Sequence, residues 1–220
     1  MVHIFVVVLL ISNLVGQKIT AIGPFRISGA QLLFPIAYIF GDVFTEVYGY
    51  GASRRAIWIG FGASALLAAM GMFTVWLPPA PGWHGQEAFQ KVFDFVPRLV
   101  AASLIAFWSG EFANSFVMAK MKLWTGGKYL WTRTVGSTVV GQAVDTAVVI
   151  TLSFGGSLTP SLIVNLIVSG YLGKVLYEVL ATPLTYAVVN FLKRHEGVDT
   201  FDRRTNFNPF RGALEEPGIE

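Results

Sequence analysis

The chain has 220 residues, 54% hydrophobic and only 13% charged. An ordinary soluble domain carries about 25% charged residues, so this composition excludes a soluble globular enzyme, a disordered chain and a coiled coil, and points to an integral membrane protein built mostly of helices. The absence of cysteine removes disulfide scaffolds, thiol catalysis and Cys-ligated metal.

A helix needs about 20 residues to cross a hydrocarbon core of about 30 Å, and six runs qualify or nearly so. The chain opens MVHIFVVVLLISNLV, without a basic leader or a small-residue cleavage site, which reads as a retained first span over 2–17. The second span is read over 31–48, after the turn-rich IGPFRISGA, and the Tyr48–Gly51 run that follows reads as a helix stop and turn. The third covers 55–77 and stops at Pro78, Pro79, Pro81 and Gly82. It carries no inward polar cluster, which places it at the periphery, with Gly60, Gly62, Ala65 and Ala69 allowing close packing. The fourth covers 96–119. The fifth, 133–154, ends at Gly155 and Gly156. The sixth starts at Pro160, a good first-turn residue, and runs to 192. Pro183 inside it lacks a backbone donor and clashes with the Val179 carbonyl, so a kink or break is expected there.

Basic residues set the orientation. Eleven of the 16 fall on one side (Arg54, Arg55, Lys120, Lys122, Lys128, Arg133, Lys193, Arg194, Arg203, Arg204 and Arg211) and four on the other (Lys18, Arg26, Lys91 and Arg98). Both termini are thus read as cytoplasmic, with six crossings of the membrane. Anionic lipid explains the basic balance, and nucleic acid is not expected as a partner. The division is a membrane domain over 1–194 and a polar cytoplasmic tail over 195–220, read as solvated because it has no helical apolar stripe. On the outer side, VFDFV at 92–96 reads as a short interfacial segment among Trp76, Trp83 and Phe89.

Six ionisable residues stand inside these spans: Asp42, Glu46, Glu111, Asp145, Lys174 and Glu178. Each costs about 2.5–3.5 kcal/mol at mid-bilayer when unpaired and lipid-facing, so they must face the bundle interior, water or each other. Asp42 with Glu46 and Lys174 with Glu178 are four apart, on one helix face each. Glu111 stands beside Asn114 and Ser115, Gln142 is three from Asp145, and Ser12 and Asn13 add polarity to the first span. A structural reading stays open for several. Asp42, Glu46 and Glu178 lie near span ends, Lys174 can neutralise Asp145 or Glu111, and Asn13 and Gln142 can serve as interhelical hydrogen-bond partners. Glu111 and Asp145, deep in apolar runs, are the hardest to explain that way.

This set suits a planar, donor-rich heterocycle such as a guanine-like base. Carboxylates accept hydrogen bonds, amides donate and accept, and aromatic faces stack. Candidate binding residues are Asn13, Phe34, Trp108, Glu111, Asn114, Gln142, Asp145 and Tyr171. Asp42, Glu46, Lys174 and Glu178 are candidates for coupling or charge balance. No catalytic residue, metal site or cofactor is expected: the histidines, His3, His84 and His195, all lie at edges, and neither H-E-x-x-H nor a Walker-type phosphate loop is present.

The stretches Ser12-Asn13, Gly29-Ala30, Phe34-Pro35 and Asp42-Val43-Phe44-Thr45-Glu46-Val47-Tyr48-Gly49 with Ser53-Arg54-Arg55 resemble the queuosine precursor transporter family, also called the VUT family. So do Glu111-Phe112-Ala113-Asn114-Ser115, Gly141-Gln142-Ala143-Val144-Asp145-Thr146, and Lys174 with Pro183. The resemblance covers residues 10–194. It implies a non-enzymatic importer, in the bacterial cytoplasmic membrane, of 7-deazaguanine compounds, such as 7-cyano- or 7-aminomethyl-7-deazaguanine, used to build queuosine in tRNA. It also implies an all-α, six-helix fold similar to the substrate-binding components of energy-coupling-factor transporters, driven by protons or by separate energising subunits. The alternatives are uptake of a vitamin or another nucleobase, and a non-transporting membrane subunit or intramembrane enzyme.

Overall fold

The computed structural model describes residues 1–15, 18–22, 25–28, 33–93 and 97–210, without the side chains of 19–22, 25–28, 34, 35, 38 and 97–99. In chain order the elements are α1 (Val2–Val15), β1 (Ile19–Ile22), β2 (Phe25–Ser28), α2 (Phe34–Trp76), α3 (Gln86–Phe93), α4 (Pro97–Trp124), α5 (Leu130–Phe154) and α6 (Pro160–Glu196). Four of them, α2, α4, α5 and α6, are long and apolar enough to cross a membrane, and α1 is a shorter apolar helix. The chain is helical as expected, apart from one short hairpin. Strands β1 and β2 pair antiparallel, with Ile19 opposite Ser28 and Ile22 opposite Phe25.

The second and third expected spans form a single hydrogen-bonded run, α2, interrupted at Gly49 (φ 82, ψ 172). That left-handed φ costs an L-residue about 1–2 kcal/mol and a glycine almost nothing. The chain folds back at this point. Ala37 and Ala56 share one apolar cluster with Phe5 and Phe44, whereas a straight helix would hold them about 28 Å apart. The Phe5 ring meets Phe44 edge-on at 5.9 Å and also abuts Gly60. Helix α2 therefore has two arms, 34–48 and 50–76, packed side by side. Gly60 admits Phe5 and Leu9, but Gly62 faces open space.

The closest helix approach joins α4 and α5. A Cβ on Gly110 would lie 2.7 Å from the Asp145 Cβ, and one on Gly141 would lie 2.7 Å from the Asn114 Cβ. These two glycines let Asn114 and Asp145 sit against the facing backbone. Helix α6 runs unbroken through Pro183. Its outer surface is apolar and exposed, with Leu172, Leu176, Leu180 and Leu184 all more than half exposed, as lipid contact requires. Near the opposite end of α4 from Pro97, an aliphatic core gathers Ile39, Val43, Val47, Met118, Leu130, Val189 and Leu192.

The Tyr48 hydroxyl bonds Glu196 at 2.7 Å and the Met1 sulfur at 3.3 Å. The first residue, the Gly49 turn and the end of α6 therefore lie at one end of the bundle. This is the end that carries Lys122, Arg133 and Lys193, as the charge bias predicts. Helix α3 is amphipathic and lies in the outer loop between the third and fourth expected spans. It begins before the VFDFV segment, of which 94–96 fall outside the described residues.

The tail packs against the bundle along 198–210, with Asp202 buried, while Asp199, Arg203, Arg204, Asn206, Asn208 and Phe210 stay exposed. It runs back over the Gly49 turn as a strap. Thr200 donates its backbone N–H to the Val47 carbonyl at 3.0 Å. The Asp202 carboxylate, 4% exposed, accepts the Tyr50 N–H with both oxygens at 3.0 and 3.1 Å, at the start of the second α2 arm. A carboxylate there satisfies an orphan donor and the positive end of the helix dipole. Arg54 donates to the carbonyls of Asn206 and Asn208, and the Trp58 indole donates to the Pro209 carbonyl. Phe207 packs on Tyr50 at 4.9 Å, and Phe210 on Trp108 at 5.3 Å. Sequence periodicity missed the strap because its contacts are irregular and made largely by backbone carbonyls. Arg211 and the rest of the tail lie outside the described residues.

Candidate functional site

Helices α1, α2, α4, α5 and α6 enclose a cavity of about 280 Å³. Its polar lining comes from Asn13, Ser64, Ser103, Glu111, Gln142, Asp145 and Lys174, and its rings from Phe5 and Phe107. Lys174 and Asp145 are ion-paired and each about three-quarters buried. Glu111 comes from α4 and lies against α2, where a Cβ on Gly41 would stand 3.1 Å from its Oε2. Asn13 donates to the Ser64 hydroxyl at 3.4 Å, joining α1 to the second arm of α2. A volume near the low end of about 300–1,000 Å³ suits a small bicyclic ligand.

Of the eight residues proposed from sequence to bind ligand, Asn13, Glu111, Gln142 and Asp145 line this cavity, joined by Lys174 from the coupling set. Asn114, Trp108 and Tyr171 are not in its lining. Asn114 donates to the Asp42 carboxylate at 3.1 Å, one turn further along α4. Trp108 belongs to an aromatic cluster with Trp58, Phe112 and Phe210, and its buried indole N–H has no partner among the described residues. Tyr171 is half-buried on α6, and the Phe34 side chain lies outside the described residues. The rings that do face the cavity, Phe5 and Phe107, are ordinary members of apolar runs, so sequence gave no reason to single them out. Ser64 overturns the peripheral placement of the third span. It is the single hydroxyl between Ser53 and Thr74, a signal that was present but faint.

Beyond the cavity, towards the Gly49 turn, lie Asp42 and Glu178, each 1% exposed. Asp42 is within electrostatic reach of Glu178, Glu111 and Glu46. One further turn along α2, Glu46 is the centre of a buried ion cluster. Its carboxylate takes a fork-to-fork pair from Arg133, Nε at 2.6 Å and Nη2 at 2.7 Å, and a third bond from Lys193. Lys122 reaches the Glu46 carbonyl, the Thr200 carbonyl and the Asp199 carboxylate. Burial pushes the Asp199 carboxyl up, but the hydrogen bonds from Lys122 and Lys193 outweigh it and hold it below its ordinary value of 3.8. Arg133 also donates to the carbonyls of Gly127 and Lys128. The cluster thus ties α2, α4, α5, α6 and the strap together at the basic end. Among the described residues no group of acids and histidines could hold a metal ion.

A polytopic bundle with a polar cavity among lipid-facing helices is the architecture of a membrane carrier for a small molecule. A family model described as "Putative vitamin uptake transporter" matches residues 28–188, and the chain belongs to this transporter family. It is 26% identical over 167 residues to the "Probable queuosine precursor transporter" of Bacillus subtilis (strain 168), covering 76% of this chain and 73% of that one. No solved structure matches the chain.

Proposed function

We propose that the chain imports a queuosine precursor, a 7-deazaguanine base, across the bacterial cytoplasmic membrane. The observation that carries this reading is the pairing of Glu111 with Gln142 and Asn13 around one small cavity. Carboxylate oxygens accept from the ring N–H and exocyclic amine of a guanine-like edge, and amides meet its carbonyl. Asp145 is already engaged by Lys174, which leaves Glu111 as the main acceptor. Phe5 and Phe107 offer apolar faces to the ring system. The similarity to the Bacillus subtilis protein supports the choice of substrate.

In this reading the chain crosses six times, with both termini cytoplasmic: α1, the two arms of α2, α4, α5 and α6. The arms fold back at Gly49, and the basic residues gather at that end. The cavity opens towards the outer half, and the Glu46 cluster with the aliphatic core closes the inner half.

Binding of 7-cyano-7-deazaguanine to the purified protein, followed by titration calorimetry, tests the assignment. Glu111→Gln and Asp145→Asn are expected to weaken binding while the protein still folds. Parental affinity in both variants removes the cavity assignment. Displacement of the ligand by riboflavin or biotin, but not by guanine, would move the cargo to the vitamin class.

A further inference from the structure

Three helices give the same order along the bundle. On α6, Lys174 faces the cavity, Glu178 lies one turn inward, and Lys193 reaches the Glu46 cluster. On α4 the order is Glu111, Asn114, Lys122, and on α2 it is Asp42 followed by Glu46. The Asp42 and Glu178 carboxylates therefore occupy a middle layer, between the ligand cavity and the ion cluster that seals the basic end.

Among the described residues this layer is short of donors. Asp42 Oδ2, both carboxylate oxygens of Glu178 and Asn114 Oδ1 are buried with no hydrogen-bond partner among the described residues. All four can only accept as they stand. The one donor supplied to the pair is Asn114 Nδ2, spent on Asp42 Oδ1. The charged groups around it offer no counter-ion. Among the described residues helix α4 presents Glu111 and α2 itself adds Glu46, and the acid of α5, Asp145, faces Glu111. The nearest lysine on α6, Lys174, is committed to Asp145, while Arg133, Lys122 and Lys193 are committed to Glu46 and Asp199. Helix α1 carries no charge beyond His3 in its first turn. Two ionised carboxylates without a counter-ion in such a place carry a desolvation cost of several kcal/mol each.

We propose that Asp42 and Glu178 form a binding site for a coupling proton, separate from the ligand cavity and linked to it through Asn114 and Glu111. A proton from the outer side adds to one carboxylate oxygen. It forms an O–H bond, removes one negative charge and supplies the donor that the layer lacks. Release towards the cytoplasm restores the two carboxylates beside the Glu46 cluster, and their added charge favours loosening of its cations from Glu46. Proton occupancy thereby biases which end of the bundle is closed. This inference rests on the transport reading above.

The test uses the full chain alone in liposomes loaded with a pH-sensitive dye. Uptake of labelled 7-cyano-7-deazaguanine is measured with an inward proton gradient, with an inward sodium gradient and with neither. The expected result is uptake stimulated by the proton gradient and lumenal acidification that requires substrate. Glu178→Gln and Asp42→Asn should keep ligand binding by calorimetry yet lose both the stimulation and the acidification, and Glu178→Asp should restore part of each. Gradient-driven uptake that survives in Glu178→Gln and Asp42→Asn overturns the proposal. So does stimulation by sodium instead of protons, or parental uptake that moves no protons, and neither of these depends on a variant folding. Parental protein that does not bind the base defeats the transport reading instead, which calorimetry distinguishes before any flux is measured.

Discussion

Glu46 is fully buried and neutralises most of a cluster with three cations, so Glu46→Gln is an informative perturbation. The amide is isosteric, which leaves packing intact and removes only charge and one acceptor oxygen. Arg133, 1% exposed, then loses its only carboxylate partner among the described residues. Lys122 and Lys193 keep Asp199. Removing one member of a buried pair costs about 3–5 kcal/mol. The surviving Asp199 places this case at the low end, near 3 kcal/mol. For a chain of this size each kcal/mol moves the melting temperature by about 2–4 °C, so a fall of about 6–12 °C is expected. The six tryptophans permit a thermal melt in detergent followed by intrinsic fluorescence. The double variant Glu46→Leu/Arg133→Met, which removes both charges, should melt above Glu46→Leu alone, because it leaves no uncompensated guanidinium. Equal melting of Glu46→Gln and parent, or a double variant less stable than Glu46→Leu, would refute the account of this cluster as a structural lock.

The α4–α5 contact and the strap offer two further checks. Gly141→Ala places a methyl 2.7 Å from the Asn114 Cβ and 3.0 Å from the Gly110 carbonyl. It should cost about 1–3 kcal/mol in the melt and weaken ligand binding by moving Asp145, while Gly62→Ala, facing open space, should leave both unchanged. Asp202→Ala removes the cap on the Tyr50 N–H and the Thr205 hydroxyl bond. A loss of about 0.5–2 kcal/mol is expected, together with faster protease cleavage between 198 and 210. A tail that remains as resistant as in the parent would show that the strap is held without its carboxylate.

The sequence by itself determined the solvent. So few charges among so many apolar residues leave no polar surface for water to cover, and the distribution of lysine and arginine marks one end of the bundle. It also marked Asp42, Glu46 and Glu178 for burial, because a charge inside an apolar run must be compensated wherever it falls, but not Arg54, Lys122, Arg133 or Asp202, which lie at span ends or in the tail and are buried only by the fold. The family was legible in the Asp42–Gly49 stretch and the Gly141–Thr146 stretch. Tertiary structure decided how those groups are distributed. One stripe of polar residues reads alike along all its length, yet folding divides it into three layers: Glu111, Gln142 and Asp145 at a cavity, Asp42 and Glu178 in a layer short of donors, and Glu46 among cations. Helical spacing fixes which residues share a face, but not which neighbour meets that face. That choice depends on the fold-back at Gly49 and on the Gly110–Gly141 approach. The same limit explains Trp108, whose ring turns to the strap and away from the cavity. It explains the strap itself, held by carbonyls that no side-chain pattern reports.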